Sequence, residues 1–170
     1  MELKTIYRGE ARGFSLLELI VALTLVLILT AAVVPIYHGS LKSTRFDHAA
    51  RDLLAALRYA QERAVLDCVE HRIEMNDGND TYWATRLARI EDGEKVFEEV
   101  TEVRGLRATL PKGLDLKRPE ARQDAAGVFY VGFYPSGACD VATVTLDRGN
   151  GSQIEIKIAG NLGRFEVTGL

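Results

Sequence analysis

The sequence predicts an α+β protein in which one long N-terminal helix packs on antiparallel β-sheet. An uncharged apolar run extends from Leu19 to Tyr37, and an amphipathic helical pattern follows it. Beyond that pattern, short alternating segments are separated by turns rich in glycine, asparagine and aspartate. About 130 residues follow the apolar run, which is enough for one domain with a hydrophobic core.

The apolar run is long enough to span a membrane. Its 19 residues would form about 28 Å of helix, close to a hydrocarbon core of about 30 Å. A short basic segment before such a span favours a cytoplasmic N-terminus. We therefore expect the rest of the chain to lie outside the cytoplasm. Basic residues flank the run on both sides: Lys4, Arg8, Arg12, Lys42 and Arg45.

Glu18 places one carboxylate at the start of this apolar segment. A lone carboxylate in hydrocarbon costs roughly 2.5–3.5 kcal/mol, so its presence indicates a function. One alternative is a secretory signal peptide, for which Thr30-Ala31-Ala32 offers small residues at a cleavage site. Glu18 and the length of the run argue against that alternative, and an ordinary signal anchor is the other simple interpretation.

The segment from Gly13 to Glu18 closely resembles the prepilin-type N-terminal motif of type IV pilins and type II secretion pseudopilins. The resemblance implies that a prepilin peptidase cuts after Gly13 and methylates the new N-terminal residue, Phe14. Glu18 then matches the fifth mature position, where the family carries a glutamate. Pro35 matches mature position twenty-two, where many members carry a proline. Both are implied assembly residues.

The chemistry of the motif explains why a carboxylate is tolerated there. Cleavage would create an α-amino group on Phe14, with an ordinary pKa of about 7.7–8.0. Glu18 lies one helical turn later, and the helix dipole also stabilises a negative charge in the first turn. We expect the pairing within one subunit or with Phe14 of a neighbour. Pro35 removes a backbone donor, which either kinks the helix or lets it loosen during packing.

These inferences divide the chain into three parts. Residues 1–13 form a leader peptide, residues 14–37 a transmembrane and assembly helix, and residues 38–170 a globular periplasmic domain. The expected location is the inner membrane, with a single pass and the C-terminal domain in the periplasm.

An amphipathic helix is predicted to continue past the apolar run. Charged residues such as Arg51, Asp52 and Arg58 occupy much of the remaining surface. Apolar residues recur at spacings of three and four, which marks one buried face. That face comprises Phe46, Ala50, Leu53, Leu57, Ala60 and Ala64.

Strand patterns follow this helix. Residues 69–75 alternate between apolar and charged side chains, and a turn at 76–79 leads to a second strand over 81–90. A turn over 91–94 follows, and the segment 106–123 is predicted to be a loop. The remaining predicted strands are 127–134, 141–146, 153–158 and 163–167.

Parts of the globular domain resemble the H-type minor pseudopilins, meaning general secretion pathway protein H and related minor pilins. The similar segments are 49–60, the turn Phe133-Tyr134-Pro135-Ser136-Gly137, and the closing residues 147–165. Gln61 and Leu162 depart from the family pattern. The resemblance implies a structural minor pseudopilin of the type II secretion system; the alternative is a minor pilin of a type IV pilus, for pilus assembly or DNA uptake. The implied partners are prepilin peptidase, major and other minor pseudopilins, the inner-membrane secretion platform and membrane lipid.

Charge and motifs argue against other functions. The formal net charge is −3, and it becomes −4 without the leader, which carries three basic and two acidic side chains. We therefore expect no nucleic-acid partner. The chain has no Gly-x-Ser-x-Gly, phosphate-loop or His-Glu-x-x-His motif, so an enzyme and a cofactor are not expected.

A metal site is not expected either. Cys68 and His71 are three residues apart on a predicted strand and would point to opposite faces. The turn over 76–80 lacks the spaced ligands and terminal glutamate of a calcium-binding loop.

Cys68 and Cys139 are the only cysteines. An exported domain lies in an oxidising compartment, so a disulfide between them is permitted. The alternative is two thiols, and the sequence alone does not decide between these states.

Overall fold

The computed structural model describes residues 15–149, 151–160 and 164–169, with the backbone alone described for residues 32–42. Two compact units divide the chain, Met1–Lys42 and Ser43–Leu170. Helix α1 comprises Leu16–Asp67. No helix in the described part of the chain combines the length and the apolar composition that a membrane crossing requires. Phe14 and the side chains of residues 32–37, which belong to the predicted span, lie outside that description.

Within the second unit, α1 buries the apolar face that the sequence predicts. Its small alanines bring the backbone of the helix close to the sheets, while Arg51 and Asp52 remain exposed. The helix ends at Asp67, and Cys68 follows with a φ of 56°. A residue in this left-handed conformation is a common helix terminator. All six predicted residues are buried: Phe46, Ala50, Leu53, Leu57, Ala60 and Ala64.

Ten strands follow the helix. They are β1 (His71–Asn76), β2 (Thr81–Glu91), β3 (Glu94–Glu99), β4 (Arg107–Thr109), β5 (Asp115–Leu116), β6 (Arg122–Gln123), β7 (Phe129–Phe133), β8 (Ala142–Asp147), β9 (Gln153–Ala159) and β10 (Arg164–Thr168).

The strands form two antiparallel sheets. The first has the order β3-β2-β1-β7-β6, and β4 also pairs with β2. The second has the order β10-β9-β8-β5. In the first sheet, β1 is central, because His71 lies opposite both Arg86 of β2 and Phe133 of β7.

One hydrophobic core joins α1 to both sheets. Successive side chains of a strand point to opposite faces, so alternate residues of strands such as β1, β8 and β9 enter this core. Ile73 and Val131 contribute from the first sheet, and Val144 and Ile156 contribute from the second. The α+β class predicted from the sequence is therefore confirmed.

Two features of the sheets differ from the sequence prediction. The segment 106–123, predicted as a loop, contains the short strands β4, β5 and β6. Asp80 anchors this segment, since its carboxylate accepts from the Leu116 amide at 2.8 Å and its carbonyl accepts from the Leu110 amide at 2.8 Å. Strands of two or three residues are too short to show alternation, and β4 and β5 pair with β2 and β8, which are distant in sequence. The division of the strands into two sheets is also set by pairing between segments distant in sequence, which local patterns do not show.

The predicted turn between β2 and β3 is present. Asp92 and Gly93 both have positive φ, 52° and 84°. This pair matches the type I′ turn, for which Asp-Gly is a preferred sequence. Beyond Arg86, β2 continues past β1 and pairs with β3 as a two-stranded ribbon.

Candidate assembly site

The N-terminus of α1 is capped by Ser15. Its hydroxyl accepts a hydrogen bond from the Leu17 amide at 3.2 Å, and its carbonyl accepts from the Leu19 amide at 3.1 Å. Glu18 lies in the first turn of the helix, where a negative charge is stabilised by the unpaired backbone amides. Serine followed three residues later by glutamate is also the capping-box spacing. This spacing is visible in the sequence, and it gives Glu18 a second way to stabilise the start of the helix.

The other N-terminal positions are described less fully. Gly13 and Phe14, the predicted cleavage and methylation residues, lie outside the described residues. The backbone of α1 is helical through Pro35. The pairing of Glu18 with the amine of Phe14 stays a prediction.

A groove runs along one side of α1 in the second unit, and we call it the α1–β4 groove. Its walls are α1 from Arg45 to Tyr59 and the segment 103–111, which includes β4. The groove consists of two adjacent cavities of about 310 and 370 Å³. Both are lined by Asp52, Tyr82 and Ala108, so they form one continuous surface.

Tyr82 lines the groove where the two cavities join. Its side chain reaches there because Tyr82 pairs with Ala108 of β4 and faces the core side of the sheet. The residue is only 2% exposed, and its hydroxyl has no hydrogen-bond partner among the described residues. Burial, with a smaller contribution from the charge of Asp52, raises the pKa of Tyr82 to about 12. The phenol therefore remains a protonated donor that lacks an acceptor.

A third cavity of about 390 Å³ lies near the C-terminal end of α1. It is lined by His71, which is 2% exposed and lies 3.4 Å from the Asp67 carboxylate through Nε2. The other ring nitrogen lies 3.2 Å from the Val69 carbonyl oxygen. Burial lowers the pKa of His71, although Val69 and Asp67 act in the opposite direction.

The outer face of the first sheet is covered by arginines that lie over aromatic rings. The Arg72 guanidinium is 3.6 Å from the Phe97 ring centroid and 4.2 Å from that of Tyr130. Glu70, which is almost fully buried, accepts hydrogen bonds from Arg72 at 2.9 Å and from Lys95. Arg72 and Lys95 therefore share one buried carboxylate, which compensates part of their charge.

The structure does not join the two cysteines. Cys68 is exposed and Cys139 is buried, and both are thiols. The Cys139 thiol donates to the Ala159 carbonyl at 3.6 Å, whereas the Cys68 thiol donates to the Val65 carbonyl at 3.7 Å. Their pairing in an oxidising compartment stays a prediction.

The turn weighed as a calcium loop is an ordinary turn in the structure. The Asn76 side-chain oxygen accepts from the Gly78 amide at 2.9 Å. Across the described residues, no group of three or more carboxylate, cysteine or histidine side chains is arranged to hold a metal ion.

Comparisons with known proteins agree with this architecture. Residues 9–34 match the family model for the prokaryotic N-terminal methylation motif, and residues 49–163 match that for type II transport protein GspH. A search of curated proteins found no match.

Solved structures show the same fold. The minor pseudopilin EpsH from the type 2 secretion system of Vibrio cholerae aligns with a TM-score of 0.57 and 15% identity, covering 74% of this chain and 97% of EpsH. The type IV minor pilin FimU of Pseudomonas aeruginosa aligns with a TM-score of 0.51 and 18% identity, covering 74% of this chain and 90% of FimU. The fold is therefore shared by type II pseudopilins and type IV minor pilins. Because the GspH model covers more than half of its length, the chain belongs to the GspH family of type II transport proteins.

Proposed function

We propose that this protein is a structural minor pseudopilin of a type II secretion system. It is cut after Gly13, methylated on Phe14 and anchored in the inner membrane by residues 14–37. Its globular domain lies in the periplasm, and its N-terminal helix packs into a pseudopilus with other pseudopilins. The observation that supports this proposal most strongly is the presence of an N-terminal methylation motif and a GspH domain in one chain.

The N-terminus of α1 supports a role for Glu18 in assembly. The residue lies in the first helical turn and is exposed in the single chain. The helix dipole stabilises a carboxylate in the first turn. The amine created by cleavage would place a positive charge one turn away from the Glu18 carboxylate. Assembly would therefore depend on processing, since the uncut precursor has no amine at Phe14.

Substitutions at Glu18 test this role. Glu18→Gln keeps the length and capping ability of the side chain but removes its charge, whereas Glu18→Ala removes both. We expect both variants to be cleaved by prepilin peptidase and to enter filaments poorly beside wild-type partners, as measured by shearing and immunoblotting. Normal incorporation of Glu18→Gln would show that the charge is not needed. A bulky residue at Gly13 provides the control, because it should leave the precursor uncut on a gel.

A gene deletion in the source bacterium separates secretion from pilus assembly. Loss of secreted type II substrates from the medium, with surface pili retained and secretion restored by the wild-type gene, supports the proposal. Normal secretion accompanied by loss of pili would overturn it in favour of a type IV minor pilin.

A further inference from the structure

The α1–β4 groove contains three polar groups that lack a partner among the described residues and that a bound segment could pair with. The Tyr82 hydroxyl is buried at the junction of its two cavities without an acceptor. A buried hydroxyl that lacks a partner is costly, so it marks a place where a ligand can supply one. Arg45 lines one cavity and Arg104 lines the other. Both arginines are exposed, and neither forms an ion pair with another described residue.

These features specify the chemistry of the occupant. Its surface must be partly apolar, because alanines, Leu106, Leu110 and Pro111 form much of the walls. It must bring an acceptor to the Tyr82 hydroxyl, and negative charge to Arg45 and Arg104. Asp52 is the one acidic residue that lines both cavities, and it would repel a negative group of the occupant placed close to it.

The same chain carries a segment with this chemistry. The tip of the β2–β3 hairpin, residues 90–94, has the sequence Ile-Glu-Asp-Gly-Glu. Ile90 is 65% exposed, so the tip presents one large apolar side chain to solvent. Glu91, Asp92 and Glu94 surround it, and of these only Glu91 forms an ion pair within the described structure, with Arg89 at 3.1 Å.

The hairpin tip does not fill the groove of its own molecule. Tyr82 lies near the start of β2 and Glu91 at its end. Nine residue-to-residue steps of extended strand place them about 30 Å apart, at about 3.3 Å per step. The hairpin tip and the groove are therefore at opposite ends of one strand, where they are available to different neighbours.

We propose that the α1–β4 groove binds the β2–β3 hairpin tip of a second copy of this chain. Ile90 enters the apolar part of the groove, the carboxylates pair with Arg45 and Arg104, and an oxygen of the tip accepts from the Tyr82 hydroxyl. Two different surfaces meet in this contact, so it is head-to-tail and can be repeated from copy to copy. The inference names a partner for the proposed assembly role and rests on it only for its biological setting.

Charge reversal tests the contact in the full-length, uncut chain in detergent micelles. We expect the wild type to associate with increasing concentration in sedimentation velocity, and more weakly in high salt. A groove variant, Arg45→Glu/Arg104→Glu, and a hairpin variant, Glu91→Lys/Glu94→Lys, should each associate at least roughly tenfold more weakly. A mixture of the two variants should recover association, because each then meets a neighbour of opposite charge.

Two further variants separate binding from folding. Tyr82→Phe removes only the hydroxyl, and we expect roughly tenfold weaker association with an unfolding midpoint that is unchanged or higher. Arg51→Glu/Arg58→Glu is the matched control, since it reverses two exposed arginines of α1 that do not line the groove. This control should associate as the wild type does.

Several outcomes would overturn the proposal. One is that the wild type stays monomeric at high concentration. Another is that the groove variant associates as well as the control variant does. Failure of the mixed variants to recover association would also count against it. None of these measurements involves cleavage at Gly13 or secretion, so they fail independently of the proposed function.

Discussion

At the residue scale, His71 combines an ionisable ring with almost complete burial. The charged groups that line its cavity are Asp67 and Arg63 from α1, Arg86 from β2 and Glu102 from the segment after β3. Burial is the largest influence and lowers the pKa of His71 below its ordinary value of 6.5. A histidine with a lowered pKa in the folded state stabilises the protein fully above pH 6.5. That stabilisation is lost as the pH falls from 6.5 through the lowered pKa.

This linkage predicts a pH dependence that belongs to one residue. The free energy of unfolding of the wild type, measured with urea between about pH 7.5 and pH 5, should decrease more steeply than that of His71→Gln. Substitution of the exposed His48 by glutamine should leave the slope as in the wild type. Equal slopes for the wild type and His71→Gln would show that His71 keeps an ordinary pKa in the folded protein.

At the element scale, the outer face of the first sheet depends on Arg72. This side chain lies between Phe97 of β3 and Tyr130 of β7, and so it connects strands on both sides of β1. It also neutralises Glu70, whose side chain is 5% exposed. Removal of one partner from a buried ion pair leaves the other charge with less compensation, which is costly.

Arg72→Met should therefore lower the free energy of unfolding by about 2 kcal/mol, with Lys95 limiting the loss. The matched control is Arg89→Met, because Arg89 pairs with Glu91 at 3.1 Å on the exposed surface of the same sheet and lies over no aromatic ring of the described residues. We expect the control to lose less than about 1 kcal/mol. Urea unfolding followed by Trp83 fluorescence measures both. Similar losses in the two variants would mean that the position of Arg72 between the rings adds no stability.

At the scale of the whole molecule, α1 and the two sheets of the second unit share one core. A shared core makes separate unfolding of either sheet unfavourable, because each sheet would expose the apolar face of the other. The Phe165 ring of β10 lies 6.3 Å from the Phe133 ring of β7, which is one direct contact between the sheets.

We therefore predict a single cooperative transition for this unit. Trp83 fluorescence reports on the first sheet, and hydrogen exchange of β9 peptides measured by mass spectrometry reports on the second. Both should change at the same urea concentration. Loss of exchange protection in β9 before the change in Trp83 fluorescence would show that the second sheet unfolds by itself.

Much of the fold was predictable from local patterns. The buried face of α1 and the longer strands follow from spacings of three to four residues and of two residues, respectively. The Asp92-Gly93 turn was predictable because few residue pairs adopt positive φ at adjacent positions. The short strands β4, β5 and β6 were not predictable, since two or three residues show no alternation, and β4 and β5 pair with strands distant in sequence.

Some features of the candidate site were predictable from the sequence, and others were not. The sequence by itself determined the prepilin-type motif around Gly13, Phe14 and Glu18 and the family resemblance, because both are written in consecutive residues. Only the tertiary structure decided that the Tyr82 hydroxyl is buried without an acceptor among the described residues, and that Cys68 is exposed whereas Cys139 is buried. These properties depend on which groups the folded chain brings within hydrogen-bonding or bonding distance. Local periodicity determines the face on which a side chain lies, whereas its partners come from strands and loops far away in sequence.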